Sequence, residues 1–250
     1  MPLSASEWDK RFRQQAVWTQ DLRHYLYPKI GLKKAENVLD VGCGTGALIA
    51  ELTSQSKAQI YGLDLDLPRL KLAMRKASTG IYSGGNAQAL PFPANVFDLT
   101  LSHFLLLWVD DPVRVVQEMR RVTTPGGSIL ALAEPDYGGR LDYPPSLAQL
   151  KEIQTKALRR QGADPHLGRK LRSIFAQAGC QEIVTGVLGG QWFEAPTPEE
   201  LNLEWSVIAE DAGEEVSAKE LRNLELQAKL AWERNERTLF VPTFYAWGKA

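Results

Sequence analysis

The chain has 250 residues, 44% of them hydrophobic and 24% charged. This is ordinary globular composition at a length that buries a large core, so collagen-like, low-complexity and disulfide-stapled readings are excluded. With 29 basic against 30 acidic residues the net charge is −1. That excludes the basic field that draws a protein to nucleic acid or acidic lipid.

The first residues, MPLSASEWDKRFRQQ, lack the apolar stretch of a signal peptide. Trp8, Phe12, Val17, Trp18, Leu22, Tyr25 and Leu26 recur at helical spacing, which predicts one or two amphipathic helices over residues 6–30, ending before Pro28. The rhythm then changes. Asn37–Gly42 is an apolar run closed by glycine, hence a buried strand. Ala47–Ser54 continues as a helix, and Gln59–Leu65 is a second strand. Leu67–Ser78 is a helix with Asp66 as its cap and Pro68 in its first turn. Ile81–Ala87 is a weak third strand, Phe97–Leu105 a strong fourth, Pro112–Val122 a helix and Ser128–Ala133 a fifth strand after a Pro125-Gly126-Gly127 turn. Such alternation predicts an α/β fold, with a parallel sheet wound on both faces by helices.

Beyond Pro144-Pro145 the pattern turns helical, over Ser146–Arg160 and Gly168–Ala178, with Gly179 as a C-cap. Glu182–Phe193 reads as another strand, Pro198–Ala212 and Val216–Arg237 as helices, and Leu239–Trp247 as a closing strand. Pro242 inside that last strand predicts an edge position or a bulge. No linker divides the chain, so residues 1–250 read as one domain with a helical insertion at 194–238. Cys43 and Cys180 form no disulfide framework and point to a reducing compartment. The longest apolar run, Phe104 to Val109, is far short of the ~20 residues that span a bilayer. A cytoplasmic protein without integral membrane association is expected.

The most informative segment is Val38-Leu39-Asp40-Val41-Gly42-Cys43-Gly44-Thr45-Gly46-Ala47. It runs from a buried strand into a helix. Gly42 permits a tight turn, and Gly44 lets a ligand approach the backbone. The helix start offers free N–H groups. The same pattern fits a dinucleotide fingerprint, so the loop alone does not choose a cofactor. Two carboxylates narrow the choice. Asp64 ends the second strand about 20 residues on, where an acid accepts hydrogen bonds from ribose hydroxyls; its plainer role is a helix cap. Asp40 lies inside the apolar strand, where a carboxylate is costly unless paired. A pyrophosphate would add repulsion there and a cationic nucleoside would relieve it.

VLDVGCGTG (38–46), Gly62-Leu63-Asp64, GNAQALPF (85–92) and Phe97-Asp98-Leu99 resemble, in order and spacing, the motifs of class I S-adenosylmethionine-dependent methyltransferases. The small-molecule, ubiquinone/menaquinone-type branch is the most similar. The resemblance covers residues 37–136. It implies a Rossmann-like, doubly wound, mostly parallel seven-stranded sheet, with Phe240–Lys249 as the antiparallel last strand and residues 1–30 as a helical lid. S-adenosyl-L-methionine is the implied cofactor. Its methionine end would lie on the backbone of Gly42, Cys43, Gly44 and Gly46, with Asp40 near its amino group. Asp64 would hold the ribose, Leu65 would lie beside the adenine, and Asn86 and Ala87 would meet the adenine edge. The family usually has Asp where this chain has Asn86. Ser102, His103 and Phe104 would line the methionine moiety.

Methyl transfer needs a positioned nucleophile and, for an oxygen or nitrogen acceptor, a proton acceptor. Ligands in such sheets bind at the carboxyl ends of the strands. The catalytic candidates there are His103, Glu134, Asp136 and Tyr137. Each has a plainer role: shaping the pocket for His103, and capping the next turn for the others. Trp108 is a candidate to lie against a sulfonium. Arg140, flanking the acidic turn, is a candidate for the acceptor side, and Trp18 and Tyr25 are candidates for the lid. Trp192 reads as core, and Cys43 as a backbone contact, not a nucleophile. No His/Cys cluster has metal-ligand spacing, so no metal is expected. The expected partner is a small-molecule methyl acceptor, with no nucleic acid and with homo-oligomerisation left open. A nicotinamide-dependent oxidoreductase and a non-catalytic methyltransferase-like subunit are the alternatives.

Overall fold

The computed structural model describes residues 4–188, 195–213 and 216–250. Helices α1 (Ala5–Trp18) and α2 (Gln20–Lys29) precede strand β1 (Asn37–Val41). Then come α3 (Ile49–Gln55), β2 (Gln59–Asp64), α4 (Leu67–Lys76), β3 (Ile81–Gly84), β4 (Phe97–Ser102), α5 (Pro112–Val122) and β5 (Thr123–Pro135). The second half holds β6 (Leu141–Tyr143), α6 (Leu150–Arg160), α7 (Leu171–Gln177), β7 (Gln181–Leu188), α8 (Pro198–Ala212), α9 (Ala218–Glu233), β8 (Thr238–Phe240) and β9 (Thr243–Lys249). The main sheet has seven strands in the order β3-β2-β1-β4-β5-β9-β7. β9 is antiparallel to both β5 and β7, and the β1–β2, β1–β4, β2–β3 and β4–β5 pairs are parallel. This is the Rossmann-like α/β sheet the sequence predicts.

Strand alternation sorts side chains between two cores. Leu39 and Val41 pack with Val115, Met119, Ile174 and Phe175 from α5 and α7. Val38 packs on the other side with Leu26, Ile49, Leu52 and Leu70 from α2, α3 and α4. Asp40 is two residues from Val38 and so points into that second side. The helix starts are capped as expected: Asp66 Oδ1 accepts the Arg69 N–H at 2.9 Å and Asp111 Oδ1 accepts the Arg114 N–H at 2.9 Å, each with a proline in the first turn.

Several expectations change. α2 continues through Pro28 to Lys29, where the sequence predicts it to have ended. The Pro125-Gly126-Gly127 turn lies inside β5 as a bulge: register jumps from Phe97–Thr123 to Leu99–Ser128, with Gly126 at φ 78°. The closing run splits at Pro242 into β8 and β9, so the proline needs no edge strand, and its carbonyl accepts the Asp136 N–H at 2.8 Å. β8 pairs antiparallel with β6 in a small second sheet that the sequence did not announce. A third cluster, Leu147, Leu150, Trp205, Ile208, Leu224 and Ala228, joins α6, α8 and α9. The strand predicted to Phe193 is observed to Leu188; its remainder, with Trp192, lies outside the described residues.

Candidate active site

The loop after β1 is a run of left-handed glycines, Gly42 at φ 75°, Gly44 at 55° and Gly46 at 77°. Side chains with a Cβ rarely adopt this conformation. The Gly42 and Cys43 N–H groups both donate to the Leu63 carbonyl, at 2.7 and 2.9 Å, which ties the loop to the end of β2. The Gly44 N–H donates to Asp64 Oδ2 at 2.7 Å, and Asp64 Oδ1 accepts the Asp66 N–H at 2.8 Å. A carboxylate offers about four lone-pair sites, so half of Asp64's capacity is left for a ligand.

Beneath the loop, Asp40 is 2% exposed and its Oδ1 has no hydrogen-bond partner; the Ser102 hydroxyl is likewise buried and unpartnered. Ser102 sits opposite Val41 in the β1–β4 register. Burial, and then the charge of Asp64, push the Asp40 carboxyl up to about 7. The Cys43 thiol is pushed well up by burial and by both acids, which keeps it protonated. A Cβ on Gly62 would lie 2.8 Å from its sulfur, so Cys43 is packing.

The junction of α1 and α2 lies over His103. Thr19 Oγ1 is 2.9 Å from His103 Nε2 and accepts a hydrogen bond from Arg23 Nη1 at 2.7 Å, while Arg23 Nε donates to Glu51 at 2.8 Å. Burial and the Arg23 charge push His103 down to about 3, so its imidazole is neutral. α1 turns Asp9 and Arg11 inward. Its Phe12 ring lies on the glycine loop, 2.9 Å from where a Cβ on Gly44 would stand. Trp8 stacks on Phe12 at 5.5 Å, and the Arg69 guanidinium lies over both rings, at 5.1 and 5.4 Å.

Residues 39–131 match the family model described as a methyltransferase domain. The demethylmenaquinone methyltransferase of Geobacillus stearothermophilus is 34% identical over 128 residues, covering 48% of this chain and 53% of the relative. Over residues 39–131 the chain is similar to a methyltransferase domain. The chain spans about half the length of the curated relatives it matches. Two solved structures share the fold. A candidate methyltransferase from Bacillus halodurans superposes with a TM-score of 0.61 at 16% identity, over 91% of this chain and 97% of that one. Phosphoethanolamine N-methyltransferase 2 of Haemonchus contortus, in complex with S-adenosyl-L-methionine, gives 0.59 at 19%, over 93% and 52%.

In this part of the chain Asp40, Gly42, Cys43, Gly44, Gly46, Asp64, Ser102 and His103 gather at the carboxyl ends of β1, β2 and β4. Leu65 stands 73% exposed just past β2. Asn86 and Ala87 follow Gly84, the register partner of Asp64. Asn86 Oδ1 accepts the Gln88 N–H at 2.8 Å, so its carbonyl serves a local turn, and Ala87 is buried.

Two catalytic candidates are committed elsewhere. Glu134 is fully buried and accepts the N–H groups of Leu105, Leu106 and Leu107 at 3.0, 2.8 and 3.2 Å. It caps the turn after β4; burial pushes its carboxyl up to about 8 against those three amides. Asp136 is gripped by Arg169, Nη2 to Oδ1 at 2.8 Å, with His166 Nδ1 at 3.4 Å; those contacts outweigh burial and hold it below the usual range. Burial raises the Tyr137 phenol, against the charges of Arg11 and Arg140.

The lid assignments also move. Trp18 is 48% exposed, with Arg11 over its ring at 4.7 Å, and Tyr25 is 54% exposed beneath Lys29. Phe12 and Trp8 meet the glycine loop instead. Trp108 is 43% exposed on the turn after β4. Arg140 is buried in an ion pair with Asp142, Nε to Oδ2 at 2.6 Å, which Arg237 shares at 2.6 Å. It stitches β6 to β8. Sequence reasoning missed Thr19 and Arg23, whose role depends on a long-range contact that local spacing cannot signal. Among the described residues no helix is long and apolar enough to cross a membrane, and no His/Cys/Asp/Glu group has the makings of a metal site.

Proposed function

We propose that the protein transfers the methyl group of S-adenosyl-L-methionine to a small organic molecule. Asp40 carries this reading: a buried carboxyl beneath the glycine loop with one oxygen lacking any donor. An ammonium group would supply that donor. A dinucleotide would instead bring a diphosphate against Asp40 and Asp64, which weighs against the nicotinamide reading. The Gly42–Gly46 backbone, Asp40 and Ser102 fit the methionine end, Asp64 the ribose, and Leu65, Asn86 and Ala87 the adenine. The bound cofactor supplies an electrophilic methyl group on a positively charged sulfur.

The chain's own task is positioning and, for some acceptors, taking a proton. We assign the proton-accepting role to His103, in the state where Thr19 has been withdrawn. Without burial and Arg23 beside it, the imidazole returns toward its ordinary pKa of ~6.5. The Tyr137 phenol, with no hydrogen-bond partner among the described residues, is assigned to the acceptor side. His103→Gln should lower kcat by ~10²-fold or more at unchanged cofactor affinity; an unchanged kcat removes His103 from the chemistry. The name of the Geobacillus relative supports a small acceptor.

The decisive experiment is calorimetry with S-adenosylhomocysteine, which keeps the ammonium group, from about pH 5 to about pH 8. Without ligand, Asp40 holds its proton below about 7. The ligand's ammonium group prefers the ionised carboxylate, so binding must expel that proton. Kd should therefore weaken by about tenfold per unit as pH falls below the Asp40 value, and Asp40→Asn should flatten the profile. A flat profile in the unmodified protein, or binding of NADH in place of the nucleoside, overturns the reading.

A further inference from the structure

A cleft of about 270 Å³ lies between α6 and the turn at Tyr137–Gly139, lined by Gly138, Lys151, Glu152, Thr155, Lys156, Arg159 and His166. No role in the methyl-transfer site uses it. Lys151, Thr155 and Arg159 recur every fourth residue on α6, so they share one helix face, with Lys156 beside them. His166 closes the opposite wall. Among the described residues Lys151, Lys156 and Arg159 have no carboxylate partner. Three cations therefore face the cleft against the single carboxylate of Glu152. The Thr155 hydroxyl is buried and has no hydrogen-bond partner.

The protonation of the wall follows from the donors. A guanidinium only donates, so the 2.9 Å contact from Arg159 Nη2 makes His166 Nε2 an acceptor. The ring proton is then on Nδ1, facing Asp136 Oδ1 at 3.4 Å. Asp136 is anchored in turn by Arg169. Gly138 allows this closure, because a Cβ there would lie 2.4 Å from His166 Nδ1. The remaining N–H groups of Arg159 have no partner among the described residues.

We propose that this cleft binds the phosphoryl group of a small, soluble phosphate monoester, with the Arg159 guanidinium as its main donor and Lys151, Lys156 and the Thr155 hydroxyl around it. A phosphoryl group carries nearly two negative charges and three acceptor oxygens, which matches the charge excess and the unspent donors. The volume is near the lower end of the ~300–1,000 Å³ of ordinary ligand pockets, which suits a phosphoryl group with few attached atoms. A phospholipid headgroup has the same chemistry, and the test separates the two sources. The site does not rest on the methyl-transfer reading and is tested without the nucleoside.

The experiment is calorimetry of the full chain with inorganic phosphate and with phenyl phosphate at constant ionic strength, alongside sedimentation with phosphatidylcholine vesicles containing phosphatidic acid. Saturable one-to-one binding of phenyl phosphate is expected. Arg159→Ala should weaken it by ~10-fold or more, as loss of a charged hydrogen bond does. Glu152→Gln should tighten it, and Lys229→Ala on α9 should leave it unchanged. Arg159 is exposed, so an unchanged melting temperature is expected to show that its variant folds. A response that never saturates, equal affinity in Arg159→Ala, or binding to vesicles with the soluble ligands silent overturns the proposal.

Discussion

Helices α5 and α1 are both spaced as amphipathic helices, yet α5 buries mainly apolar side chains, with Glu118 its one buried charge, while α1 buries two charged residues and Ala16. α5 turns Val115, Val116, Met119 and Val122 into the core, all completely buried. α1 turns Asp9 and Arg11 inward and leaves Val17 and Trp18 exposed at 65% and 48%. α5 packs on the apolar face of the sheet. α1 crosses the glycine loop, where the surface beneath it is backbone amides and carboxylates. The helix that covers the proposed cofactor site thus has a mixed inner face, with Asp9 and Arg11 beside the Phe12 ring. It is held by few apolar contacts, which is the condition for opening without unfolding the rest.

The largest test of this contrast is on the α5 side. Met119→Ala removes a fully buried side chain and should cost about 2–5 kcal/mol. Urea unfolding should show the loss with an unchanged slope. A loss below about 1 kcal/mol would mean that α5 is no better anchored than α1. The ligand-facing side should respond in binding instead. Asp64→Ala removes an acceptor shared by the glycine loop and, in the proposed complex, by a ribose hydroxyl. S-adenosylhomocysteine should bind about 10–150-fold more weakly in calorimetry, equivalent to ~1.5–3 kcal/mol. If affinity holds and only the melting temperature falls, Asp64 is a loop cap alone.

Most of the sheet was legible because its signals are local. An apolar run ending in glycine marks Val38–Gly42 wherever it stands, and Asp66 with Pro68 marks a helix start. The residues proposed for the cofactor side could be placed for the same reason: they sit at strand ends that the alternation locates. The acids at the end of β5 were not legible. Glu134 and Asp136 look alike in sequence whether they meet a substrate or cap a turn, and their partners, the Leu105–Leu107 amides and Arg169, come from other segments. The lid residues failed on geometry. Helical period groups Trp8 with Phe12 and Trp18 with Tyr25 equally well, and only the packing direction of α1 decides which pair meets the loop. The β6–β8 pairing was invisible because three-residue strands carry too little periodicity.

The smallest expected effect is the sharpest on the question of opening. In the arrangement described, the Phe12 ring lies against Gly44, on the same backbone that the proposed nucleoside would approach. Ligand entry then requires the ring to leave, which breaks its stack on Trp8 and its contact with the Arg69 guanidinium. Aromatic pairs are worth about 0.5–1.5 kcal/mol beyond the area they bury, a factor of ~2–10 in a rate. Phe12→Ala should therefore speed the association of S-adenosylhomocysteine by that factor in stopped-flow fluorescence. The change should be small in the melting temperature, because Phe12 lies outside the two main cores. An association rate equal to that of the unmodified protein would show that α1 already stands open when the ligand arrives, and the contrast with α5 would then be one of composition and not of motion.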